Sequence, residues 1–93
     1  MSVIRTERNF VCAYETLPED RYVDIVLIGE GMDGKPKRHR LLTQPIDQYH
    51  EAVNWALGMA DVMASPIEVM PITAEEYERR SHLESLATRE GAQ

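Results

Sequence analysis

Three short patterns in the chain have residue types that could do chemistry. Gly29-x-Gly31-x-x-Gly34 follows the apolar run Ile25-Val26-Leu27-Ile28. Glycines so spaced let a backbone approach a pyrophosphate, provided a helix opens there and aims its N-terminus at the phosphates. Here the glycines lead into Lys35-Pro36-Lys37-Arg38, which has no helical apolar spacing. A hairpin turn is therefore expected. His50-Glu51 begins like a zinc-protease helix, but Asn54 stands where the second histidine ligand belongs, and Asn is a poor zinc ligand. Cys12 would need a base and an orienting partner to act as a nucleophile. No spacing supplies them, and a mid-strand thiol beside Phe10 and Tyr14 is expected to pack as a core residue. The acid pairs Glu19-Asp20 and Glu75-Glu76 fall in a turn and at a helix start, where they already have structural roles. The expectation is no catalytic residue, no metal ligand, no cofactor and no small-molecule substrate: a protein that is not an enzyme.

Those residues need elements to hold them. Residues 9–16 alternate as a strand, with Phe10, Cys12 and Tyr14 on one face and Val11 and Ala13 on the other. Pro18 and Asp20 mark a turn. Residues 21–28 are rich in β-branched side chains and make the strongest strand, with Val23, Ile25 and Leu27 on one face. Asp33-Gly34 signals a hairpin, and residues 37–43 return as its second strand. These three strands are expected to form an antiparallel meander.

A helix is predicted from about Pro45, which suits a first turn and is followed by Asp47 at the positive end of the helix dipole. Its apolar stripe runs through Ile46, Tyr49, Val53, Ala56, Ala60 and Met63, widened by Ala52, Leu57 and Met59. Ser65-Pro66 stops it. Residues 67–70 read as a short strand bracketed by Pro66 and Pro71, which argues for a sheet edge. Thr73-Ala74-Glu75-Glu76 is a capping-box pattern. It opens a second helix to about Arg89 with i,i+4 pairs Glu75–Arg79 and Glu76–Arg80. That helix has sparse apolar residues (Tyr77, Leu83, Leu86, Ala87), so weak docking and an end that frays at Gly91 are expected. The order is β-β-β-α-β-α. It predicts one α+β domain over residues 1–93: a small antiparallel sheet with one helix on a face and a weakly docked C-terminal helix.

Charge narrows the function classes. The 93 residues carry 16 acids and ten bases, a net charge of −6. Four of the bases, Lys35, Lys37, Arg38 and Arg40, crowd into six residues that hold no acid. The remainder keeps 16 acids against six bases. An anionic body disfavours general binding to nucleic acid or to anionic membranes. A local cationic stripe still allows one specific contact. In a strand, Arg38 and Arg40 point one way, about 6.5–7 Å apart, close to the separation of successive phosphates. The alternative is a solvated edge strand protected by its charges. The single cysteine, the absence of an apolar leader in residues 1–20 and an apolar run too short to span a bilayer lead us to expect a cytoplasmic protein. Trp55 lies between the two faces of its helix. It reads either as packing at the core edge or as an interface anchor.

The chain resembles the small phage-encoded anti-CRISPR proteins, particularly inhibitors of the type I-F surveillance complex. The likeness lies in compact size, acidic balance, the meander-plus-helix layout and the opening strands Asn9-Phe10-Val11-Cys12-Ala13-Tyr14 and Tyr22-Val23-Asp24-Ile25-Val26-Leu27-Ile28. The resemblance implies a non-catalytic inhibitor in the host bacterial cytoplasm. It would bind Cas subunits of a guide-RNA-loaded complex and block target-DNA binding or hybridisation by occlusion. Its acidic body would be drawn to basic surfaces, while Lys35, Lys37, Arg38 and Arg40 touched guide RNA or an acidic patch. The alternative is a small RNA-binding module that uses the Lys35–Arg40 strand alone. Reversing Arg38 and Arg40 to Glu is expected to weaken partner binding and leave the fold intact.

Overall fold

The computed structural model describes residues 1–91, with side chains to Leu83. Five strands form one sheet: β1 (Ser2–Arg5), β2 (Phe10–Ala13), β3 (Asp20–Glu30), β4 (Pro36–Pro45) and β5 (Ile67–Thr73). A 3₁₀ turn (Ile46–Gln48) leads into α1 (Tyr49–Met63), and α2 (Ala74–Gly91) closes the described chain. The class is α+β, as expected. No helix among the described residues is long and apolar enough to cross a membrane.

The strand order is β1-β2-β5-β3-β4, and this corrects three expectations. The sheet is mixed, because β5 runs parallel to β2 and antiparallel to β3. The opening strands are not a continuous meander, because β5 lies between β2 and β3. β5 is also not an edge strand. Its prolines remain compatible with this place. Within β5, β2 pairs only with Ile67, Glu68 and Val69, so Pro71, opposite Val23 on β3, lies beyond the end of β2. The missing proline N–H falls where β5 has one neighbour, and no ladder bond is lost.

One face of the sheet is apolar and carries α1. Val11, Val23, Ile25, Ile67 and Val69 are fully buried there. The centre of the helix face is Ala52, Ala56 and Ala60, flanked by Tyr49, Val53, Leu57 and Met59. Three alanines on one stripe remove side-chain thickness and let the helix axis come close to β-branched strand residues. Met63, read as part of that stripe, is 40% exposed at the helix end. The helix stops where Ala64 takes a left-handed conformation (φ 50°), just before Ser65-Pro66.

The opposite face is polar and receives the first turns of α2. The Thr73 hydroxyl accepts the Glu76 N–H at 3.1 Å, which is the cap the sequence predicts. Glu75 and Arg79 pair at 3.5 Å. Among the described side chains, Tyr77 and Arg80 dock α2. Tyr77 stacks on Tyr22, with ring centroids 4.1 Å apart and planes 17° apart. Arg80 forms an ion pair with the buried Asp24, whose carboxylate also accepts the Thr43 hydroxyl at 2.6 Å. Arg80 therefore anchors α2 to the buried acid of β3. The helix reaches Gly91; the side chains of Leu86 and Ala87 lie outside the described ones.

Removing Arg80 alone would leave the Asp24 carboxylate buried without its cation. Arg80→Ala is expected to destabilise the protein by about 3 kcal/mol and to free the α2 amides for hydrogen exchange. Filling the alanine stripe with Ala56→Leu is expected to destabilise by about 1–3 kcal/mol through overpacking. Urea melts read both effects.

Candidate interaction surface

The basic run occupies the turn end of the β3–β4 hairpin. Its turn closes with Gly34 N–H donated to the Gly31 carbonyl (3.0 Å) and Gly31 N–H to the Lys35 carbonyl (2.8 Å). The Asp33 carboxylate accepts the Lys35 N–H at 3.1 Å. Gly34 alone takes a positive φ, 79°, which is the left-handed position of a type I turn followed by a bulge. The glycine pattern is thus a hairpin. Met32 at its tip is fully exposed.

β4 is an edge strand, and residues 36–40 are exposed. Lys35 stands in the turn. Lys37 lies opposite Gly29, and His39 opposite Leu27, which puts both on the side of α1. Arg38 and Arg40 lie opposite Ile28 and Val26, on the other face. The alternation matches the sequence expectation. The four cations do not form one free ridge, however. Arg38 reaches across β3 and pairs with Glu68 of β5. Glu68 is 10% exposed at its side chain while Arg38 is 56% exposed, so the acid is the inner partner. Arg40 is not a free cation either.

Glu68 has a second partner. The Tyr14 hydroxyl donates to it at 2.6 Å. Tyr14, Glu68 and Arg38 thereby tie the end of β2 to β5 and β4 across the polar face. Tyr49 of α1 donates its hydroxyl to the Tyr14 carbonyl at 2.7 Å, which links the two faces. Cys12 lies opposite Glu68 in the ladder and is half-buried. It is not among the buried core residues, so the expected core thiol is instead a side chain of the polar face. Nothing local in the sequence marked Tyr14–Glu68–Arg38, because its members are 24 to 54 residues apart. A lone acid inside Ile67-Glu68-Val69 was the available signal, since a carboxylate in a central strand needs a partner.

Hydrogen bonding sets the ionisation of Tyr14. Its bond to Glu68, then burial, then the Glu68 charge hold the phenol above its ordinary value of 10.0. Tyr49 is also raised, by burial first and by Glu15 second. At α1's far end, Asp61 accepts the Arg8 N–H at 2.9 Å. The Thr6 hydroxyl first and this backbone bond second lower its pKa below 3.8. Asp61, which reads as a solvent-facing acid, pins the β1–β2 turn to α1.

His39, His50 and His82 are exposed, and His50 meets Tyr49 edge-on. Among the described residues, no three His, Cys, Asp or Glu side chains are grouped to hold a metal ion. No family model, no curated protein and no solved structure matches the chain.

A raised phenol contributes stability that is fully present below pH 10 and is lost as pH rises through the folded value of Tyr14. Glu68→Gln should move that ionisation down toward the ordinary value and flatten the alkaline arm of stability. Absorbance titration at alkaline pH with melts along it reads both. Arg38→Glu would set a second carboxylate against Glu68. Contrary to the sequence expectation, it should therefore lower the melting temperature, whereas Lys37→Glu should not.

Proposed function

We propose that this protein is a non-catalytic inhibitor that docks on a nucleic-acid-handling complex and occludes it. The type I-F surveillance complex is the partner implied by the resemblance in size, acidity and layout. The observation that carries the reading is the distribution of exposed charge. Lys35 and Lys37 sit on a hairpin arm at one sheet edge, beside exposed Glu30 and Asp33, while Glu15, Glu19, Asp47, Glu51, Glu75 and Glu78 are exposed elsewhere. A guide-RNA-loaded complex offers both signs, in Lys- and Arg-lined channels and in exposed RNA backbone. The acidic body would be steered to the channels and would compete with target-DNA phosphates. The lysines of the arm would touch RNA or an acidic protein patch.

Engagement of Arg38 by Glu68 weakens the alternative, a free RNA-binding module, because that reading needs Arg38 and Arg40 presented together as a phosphate ladder. A body this acidic repels bare polynucleotide. The two readings separate in one experiment. Purified type I-F complex and free guide RNA are each titrated with the protein at nanomolar concentration and two salt concentrations, with labelled target DNA as competitor. The inhibitor reading expects binding to the complex, displacement of DNA and no binding to free RNA. Lys35→Glu with Lys37→Glu should weaken occupancy about tenfold without moving the melting temperature. No binding to the complex overturns the proposal, and salt-sensitive binding to free RNA replaces it with the alternative.

A further inference from the structure

At the base of the hairpin arm lies an open cavity of about 500 Å³ that the fold itself does not fill. It forms where the turn after α1 passes the end of β3. The Ile28 N–H fixes that turn by donating to the Pro66 carbonyl at 2.9 Å. Ile28, Pro36, Ala64 and Pro66 give the cavity apolar walls, and Ser65 adds a hydroxyl. Of the lining residues, only Glu30 is charged.

The cavity has one electrostatic sign. Glu30 is exposed, and among the described residues no ion pair or side-chain hydrogen bond reaches its carboxylate. Ala64 and Ser65 bring the C-terminal end of α1 to the rim. A helix end of this kind carries partial negative charge and is ordinarily matched by a cation. The last turn of α1 holds no basic residue. Its Ala60 carbonyl accepts both the Ala64 and the Ser65 N–H, and Pro66 has no N–H to return to a later carbonyl. Lys35 and Lys37 do not supply the missing cation. They line a separate hollow in the turn beyond Pro36, together with Asp33.

We infer that this cavity receives the guanidinium of an arginine side chain presented by a partner protein. The inference deepens the function proposed above and rests on it for the partner, a complex whose channels are lined by Lys and Arg. A guanidinium suits the site better than an ammonium. Its planar fork donates to the Glu30 carboxylate and to helix-end carbonyls at once, and it is weakly hydrated. Its aliphatic stem lies along the apolar walls. A lysine ammonium is a compact, strongly hydrated charge that loses more on entering them. Glu30 and the helix end repel an anion, so the cavity takes protein and not RNA phosphate.

The probe is N-acetyl-arginine amide, titrated to millimolar concentration into the whole protein while NMR follows the backbone amides. The expected result is saturable movement of the Gly29, Glu30, Ala64 and Ser65 amides. The citrulline analogue, which keeps the shape and lacks the charge, should leave them in place, and the lysine analogue should bind several-fold more weakly. Glu30→Gln should weaken arginine binding about tenfold at an unchanged melting temperature. Asp47→Asn, at the opposite end of α1, should not. The proposal is overturned by an absence of saturable shifts, by shifts scattered over the acids of the body, by equal binding of either analogue, or by indifference to Glu30→Gln. The outcome is distinct from that of the test of function. A complex that binds while the probe does not removes the arginine site alone, and a complex that fails while the probe binds removes the proposed partner alone.

Discussion

The structure depends on β5 reaching the middle of the sheet. Without it, the molecule is two separate hairpins, β1–β2 and β3–β4, each with an apolar face open to water. β5 pairs with both, and its Ile67 and Val69 complete the layer that α1 covers. The joining strand comes after the helix in the chain. The two hairpins have only local partners and can form early, while the contacts that unite them wait until residue 73 is in place. Such non-local pairing is the slow part of folding a small α+β domain.

The central strand also imposes a polar constraint. Alternation sends Ile67 and Val69 toward α1, so Glu68 must face the other way. A carboxylate in a central strand is tolerable only with hydrogen bonds and a counter-charge. Tyr14 and Arg38 supply them from strands on either side of β5. Asp24 repeats the solution one strand over, with Thr43 and Arg80. Each acid recruits its arginine from a different element, β4 for Glu68 and α2 for Asp24. The polar face is therefore held together by pairs that cross the topology.

Much of this was legible in the sequence because it is local. Alternation placed most of the strands, Asp33-Gly34 placed the hairpin, Ser65-Pro66 marked the end of α1 and Thr73 capped α2, whereas Pro45 ends β4 and α1 starts only at Tyr49, after a 3₁₀ turn. The short strand β1 went unread because Ser2–Arg5 has too little alternation to declare itself. The strand order failed for a physical reason. Pro71 does mark a position with only one neighbouring strand, but that property holds beyond Val69 and not for the whole of β5. The basic run failed differently. Lys35 to Arg40 is a contiguous block only along the chain. Its charges divide between two faces, and Arg38 is neutralised by an acid 30 residues away. A charge pattern read along a strand counts side chains. It cannot count the partners that a sheet brings from other strands.

The two helices illustrate how different forces hold similar elements. α1 is held by shape: an alanine stripe against β-branched residues, with no cation in it and hydrogen bonds only near its ends, at Tyr49 and Asp61. Among the described side chains, α2 is held near its start by the Tyr22–Tyr77 stack and by Arg80, which meets Asp24 and Thr43. Burial of apolar surface is not subject to charge screening, whereas a paired charge that is still partly exposed is. Arg80 retains 25% exposure at its side chain, so ionic strength acts on α2 before it acts on α1. The weaker docking expected of α2 from its sparse apolar residues has this concrete form. It is docking through a ring stack and the polar contacts of Arg80, and α2 can loosen while the sheet and α1 remain whole.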